Sequence, residues 1–162
     1  METVIIALGS NLGNRLATIR KAGKFLADLS HDPVKKASIW ESEPVGGALY
    51  TFYNTAAVIT TSAKPAHLLA QLKQFEQQCG RETNPVRWGP RILDLDIIGF
   101  GNLVIEEDNL IIPHPEYTKR LFVLLPMAEI VENWVDPETG ANLAEMINSA
   151  HESVLKQTEL VW

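Results

Sequence analysis

The chain has 162 residues, 46% hydrophobic and 21% charged, with net charge −6 and one cysteine. That size suits a single domain, 1–162, with its own core. No apolar run is long enough to span a bilayer, the N-terminus carries no basic leader, and Cys79 has no partner for an internal disulfide, which together point to the cytoplasm and away from the membrane.

The first predicted element is a buried strand over Thr3-Val4-Ile5-Ile6-Ala7-Leu8, closed by Gly9. Turn residues Ser10 to Asn14 follow, with Asn14 a candidate N-cap. Leu16, Ile19, Gly23 and Leu26 then recur at helical spacing. Ala37 to Ser42 reads as a second strand stopped at Pro44-Val45-Gly46-Gly47, and Tyr53 to Thr61 as a third. Pro65 suits the first turn of a second helix. Its apolar face is Leu68, Leu72, Phe75 and Cys79, and Gly80 ends it. Cys79 closes that stripe, which suits a buried, inert thiol.

A loop from Arg81 to Pro90 leads into a strand over Arg91 to Ile98. Short strands at Leu103-Val104-Ile105 and Leu110-Ile111-Ile112 and helices over Tyr117 to Ile130 and Leu143 to Ile147 complete the chain. The order strand, helix, strand, strand, helix, strand is the α+β, ferredoxin-like arrangement, with an antiparallel sheet, helices on one face and the other face open.

The segment Arg87-Trp88-Gly89-Pro90-Arg91-Ile92-Leu93-Asp94-Leu95-Asp96-Ile97-Ile98 carries the most chemistry. In a strand, Asp94 and Asp96 share a face while Leu93, Leu95 and Ile97 point the other way. A divalent cation relieves the repulsion between two such carboxylates, and arginines suit a polyphosphate. The competing reading is a solvated polar face. Charge bears on the choice of partner. Residues 129–162 hold seven acids and Lys156, which disfavours a nucleic-acid surface, whereas 81–91 hold three arginines and Glu82. That basic patch fits one small anion.

Asn54 interrupts an apolar strand; it either satisfies backbone groups or reads a ring offering donors and acceptors. Phe52, Tyr53, Trp40 and Phe122 offer stacking surface, or are core. His114, between Pro113 and Pro115, is either a phosphate contact or a turn residue. No Walker phosphate loop is present, so side chains and metal would have to hold a nucleotide. A non-catalytic ligand-binding module on the same fold is the alternative to an enzyme.

Gly9-Ser10-Asn11-Leu12-Gly13, Pro44-Val45-Gly46, Phe52-Tyr53-Asn54, the Arg87-to-Ile98 segment and Pro113-His114-Pro115 run in this order along the chain. In this it resembles the 6-hydroxymethyl-7,8-dihydropterin pyrophosphokinases over nearly its whole length. The resemblance implies an enzyme of folate biosynthesis that moves the pyrophosphoryl unit of ATP to a reduced hydroxymethyl pterin and releases AMP. It implies two Mg2+ ions on Asp94 and Asp96, with Arg81 and Arg91 joining them as catalytic residues. Asn54 would read the pterin edge, helped by Ser42 and by the backbone of Pro44, Val45 and Gly46, with Phe122 and Trp40 bracketing the ring. ATP would meet Glu76, Arg81, Trp88, Arg91, Ile97, His114 and Arg120. A monomer is implied. Three positions depart from the family pattern: Thr83-Asn84 in place of a loop arginine, Pro115 after the histidine, and Lys73 where a glutamine contacts adenosine.

Overall fold

An unbroken apolar run places β1 (Glu2–Ser10) inside the sheet, where Val4 to Ser10 are all buried. The computed structural model describes residues 1–43, 51–80, 92–151 and 153–162. Asn14 caps α1 (Arg15–Leu29), its side chain accepting the Ala17 N–H at 3.1 Å. Pro65 opens α2 (Pro65–Gln78), and Gly80 follows it at φ 98°, a conformation that favours glycine. Cys79 at that helix end is half-buried, and burial pushes its thiol pKa up.

Of the second strand expected over Ala37 to Ser42 only β3 (Trp40–Ser42) forms; a two-residue β2 (Lys35–Lys36) precedes it, and both lie against β4 (Phe52–Thr61). Between them the chain turns to other partners. Ser38 N–H and Oγ donate to Glu129, and the Ile39 carbonyl accepts from Thr158. The strand expected over Arg91 to Ile98 is β5 (Asp94–Phe100). Next come a hairpin of β6 (Ile105–Glu107) and β7 (Leu110–Ile112), helices α3 (Leu121–Ile130) and α4 (Leu143–Ser149), and β8 (Leu155–Gln157). The helix expected from Tyr117 is a short 3-10 turn over Tyr117–Lys119, separated from α3 by extended backbone at Arg120.

The sheet order β5-β1-β4-β3-β8 is antiparallel throughout and contains the expected βαββαβ core. α1 and α2 cover one face over Val4, Ile6, Leu8, Ile59, Leu95 and Ile97. The other face is not open as expected. Ile5, Ala7, Ala56, Val58 and Ile98 pack there with Val123, Leu124 and Met127 of α3 and Leu143 and Met146 of α4. The reason lies in α3, whose sequence LFVLLPMAEI is apolar nearly all round and needs cover on more than one side. A bulge in β5 shifts the register, so that Ile6 faces Ile97 and Ile5 faces Gly99. Ile98 is the extra residue. The shift lets Phe100 join the α1/α2 core while Ile98 joins the other. Among the described residues no helix is long and apolar enough to cross a membrane.

Candidate active site

Strand pairing lines up one row of residues across four strands. Gly9 of β1 lies opposite Asp94 of β5 and Asn54 of β4, and Asn54 lies opposite Trp40 of β3. Paired residues share a sheet face, so Asp94, Asn54 and Trp40 all start from the α3 side. Asp96 pairs with Ala7 in one flanking row, and Ser42 pairs with Phe52 in the other. With strands about 4.8 Å apart, Asp94 and Asn54 are separated by about 10 Å. The apolar cluster under α3 and α4 reaches Ala7 and Ala56, one row short of Gly9. Gly9 keeps the floor between the two polar residues low. A Cβ there would stand 3.5 Å from Asn54 Oδ1 and 3.7 Å from Phe52 Cδ1.

Asn54 is 4% exposed, and its Nδ2 donates to the buried Ser42 Oγ at 2.8 Å. That bond fixes the amide orientation and turns Oδ1 toward Gly9. None of the described residues donates to Oδ1. Sequence reasoning named Asn54 and Ser42, and offered Phe52 as stacking surface without setting it beside Asn54. The signal was present: Phe52 stands two residues before Asn54 in a strand, hence on its face.

Trp40 and Phe122 meet different parts of α3. Trp40 Nε1 donates to Glu129 Oε2 at 2.9 Å, near the end of α3, whereas Phe122 sits in its first turn. Seven residues of helix separate those points by about 10 Å. Phe122 is half-buried against the cluster containing Ala7 and Ala56, and the Arg120 guanidinium lies 5.7 Å from its ring.

Asp94 and Asp96 are both half-buried. Lys73 Nζ stands 3.7 Å from Asp96 Oδ1, with the two side chains 41% and 40% exposed. A pair that wet and that long contributes about 0–1 kcal/mol, so it holds the carboxylate weakly and can be exchanged for a stronger partner. No group of three or more His, Cys, Asp or Glu side chains gathers among the described residues to form a protein-only cage. Two same-face carboxylates instead suit magnesium, which keeps several waters and takes its remaining ligands from substrate phosphates.

His114 reaches this place through the bulge, its N–H donating to the Ile98 carbonyl at 3.0 Å. Its Nδ1 accepts the Glu116 N–H at 3.1 Å, so the neutral ring carries its proton on Nε2. Burial pushes its pKa down, Asp96 and Glu116 push it up, and Arg120 and Lys73 push it down. Asp96, Arg120, Glu116 and Lys73 thus all lie within electrostatic reach of His114. Below neutrality the unfolded chain takes up this proton first. The stability from the neutral ring is therefore complete above the ordinary value of 6.5 and is lost as pH falls toward the folded midpoint. An NMR titration should place the His114 midpoint below 6.5, and Asp96→Asn should lower it further by removing a charge that favours the imidazolium. An unmoved midpoint in that variant would separate the two residues electrostatically.

Two further expected nucleotide contacts have structural partners of their own. The Ile97 side chain is buried among Leu93 and Leu95 in the α1/α2 core, on the face opposite the aspartates. Glu76 is buried at the edge of β5, where it accepts the Leu95 N–H at 2.6 Å and the Lys73 ammonium at 3.1 Å. Pro44, Val45, Gly46, Arg81, Trp88 and Arg91 lie outside the described residues.

The model of the 7,8-dihydro-6-hydroxymethylpterin-pyrophosphokinase family matches residues 5–132. The chain is 45% identical over 138 residues to a 2-amino-4-hydroxy-6-hydroxymethyldihydropteridine pyrophosphokinase of Bacillus subtilis, covering 84% of this chain and 82% of that protein. It is 41% identical over 131 residues to a folate synthesis bifunctional protein of Arabidopsis thaliana, covering 80% of this chain and 27% of that one. A crystal structure of Plasmodium falciparum HPPK-DHPS superposes with a TM-score of 0.69 at 15% identity, over 92% of this chain and 43% of the other. The chain thus spans under half of those two longer proteins, and the structural likeness supports the fold.

Proposed function

Because the chain belongs to the 7,8-dihydro-6-hydroxymethylpterin-pyrophosphokinase family, we propose that the row from Asp94 to Asn54 divides the labour of a pyrophosphoryl transfer between a phosphate end and a pterin end. The enzyme is a diphosphokinase of folate biosynthesis with ATP as co-substrate. The pterin hydroxymethyl oxygen bonds to the β-phosphorus and gives up its proton to solvent, as the bridge from that phosphorus to the α-phosphate breaks and AMP leaves with the bridging oxygen. No protein nucleophile is required.

At the phosphate end, Asp94 and Asp96 are the residues that would hold Mg2+, two ions being the expected number. Such ions neutralise charge on the transferring and leaving oxygens. His114 offers its Nε2–H and Arg120 its guanidinium to phosphate oxygens. Arg81 and Arg91 join them on the family resemblance, with Trp88 on the same loop. At the pterin end, Asn54 Oδ1 accepts from the ring edge and Ser42 holds the amide in place. Phe52 and Phe122 supply apolar surface for the ring, and the Pro44, Val45 and Gly46 backbone assists. Glu76 shapes the phosphate end through Leu95. A monomer, on the family resemblance, and a cytoplasmic location complete the reading.

The register of Asp94, Gly9 and Asn54 carries this assignment, because it puts both ends on one face at the reach of a pterin alcohol and a triphosphate. The test is product analysis with ATP, Mg2+ and 6-hydroxymethyl-7,8-dihydropterin. AMP and the pterin diphosphate should form in equal amounts. ADP as the nucleotide product would contradict it, since that is single phosphoryl transfer.

A further inference from the structure

β5 is an edge strand, and its outward polar groups need partners. At Leu95, between the two aspartates, α2 supplies both. Glu76 accepts the Leu95 N–H at 2.6 Å, and Lys73 Nζ donates to the Leu95 carbonyl at 3.0 Å. These residues are one helical turn apart and bond each other at 3.1 Å, so together they stand in for a neighbouring strand. The same ammonium stands 3.7 Å from Asp96 Oδ1. A lysine that clamps the backbone between two carboxylates while touching one of them does more than cover an edge.

We infer that Lys73 is the site's built-in counter-cation, holding Asp96 in the metal-free enzyme and opposing a divalent ion until Asp96 is released to it. The inference rests on Asp94 and Asp96 being the cation ligands. It follows from charge: a divalent ion on Asp96 would lie within a few ångströms of the ammonium, in a half-buried setting where like charges repel more strongly than in water. Lys73 can swing aside because its side chain is partly exposed and keeps the Leu95 carbonyl and Glu76 as alternative partners. It is a positioning residue: in this role it touches no reacting atom. The consequence is that the free enzyme takes divalent ions weakly, and that the negative charge of ATP tips the balance.

The test is titration with Mn2+ alone, followed by electron paramagnetic resonance, without nucleotide. Lys73→Gln keeps a donor for the Leu95 carbonyl and deletes the charge. It should bind Mn2+ about three- to tenfold tighter than the parent, the range expected when an exposed ion-pair partner is replaced opposite a doubly charged ion. Lys73→Arg, which keeps the charge, should stay within about twofold of the parent. A second readout is melting temperature. Lys73→Gln should melt lower than the parent without metal, and the gap should close at saturating Mn2+. Lys73→Met provides a second neutral variant if glutamine impairs folding. Equal or weaker Mn2+ binding by the neutral variants overturns the role of Lys73. If Asp96→Asn in the parent leaves Mn2+ binding unchanged, the cation-ligand assignment itself fails, which is a separate result.

Discussion

Asp96→Ala should reduce turnover by at least about 10³-fold, beyond the roughly 10- to 100-fold that follows loss of a metal ligand's outer hydrogen-bond partners. The fold should survive. The Asp96 side chain is 40% exposed, and among the described residues its one ion pair is the long contact to Lys73. A surface substitution of that kind changes stability by about 0.5 kcal/mol or less, or about 2 °C in melting temperature. The contrast between a lost reaction and an intact melt is what a ligand to the reacting complex produces. Single-turnover kinetics beside a thermal melt measure both. A variant that melts normally and keeps its rate would remove Asp96 from the phosphate end.

Asn54→Leu should weaken pterin binding by at least about 10²-fold while ATP binding stays within about threefold. Leucine shares asparagine's branched skeleton, so the row is disturbed little. What disappears is the acceptor turned toward Gly9 and the donor to Ser42 Oγ. A site built to hydrogen-bond its ligand discriminates strongly when that group is deleted, because the ligand's own polar atoms are then buried without partners. Some stability will go too, about 1–3 kcal/mol, since Ser42 Oγ is left buried without the Asn54 amide. Calorimetry with each substrate separates the effects. Equal loss for both substrates would indicate a distorted sheet, and no loss for the pterin would move ring recognition elsewhere.

Local signals made much of this molecule readable. Asn14, Pro65 and Gly80 mark helix ends by chemistry that acts within a few residues, and the Asp-Leu-Asp alternation assigns its own faces. The unread parts depend on distant contacts. Nothing near Trp40 announces that its indole will bond Glu129, 89 residues away. Three residues of β8 carry no period long enough to detect, and they pair with β3 only because the chain returns there. The apolar run in α3 declared that it would be buried but not against which surface, so the sheet was expected to have an open face. Lys73 and Glu76 look like an ordinary ion pair along a helix. Their hold on Leu95 appears only when α2 packs beside the edge strand. Phe52 is different, because its two-residue offset from Asn54 was legible from the start.

A crystal structure with Mg2+ and a non-hydrolysable ATP analogue tests most directly whether the two carboxylates of β5 gather the nucleotide's cations. The expected result is oxygen atoms of both Asp94 and Asp96 at about 2.0–2.1 Å from magnesium, with phosphate oxygens and water completing each octahedron. Lys73 should have left Asp96. Carboxylates turned apart, or still paired with Lys73 while the nucleotide binds elsewhere, would contradict it.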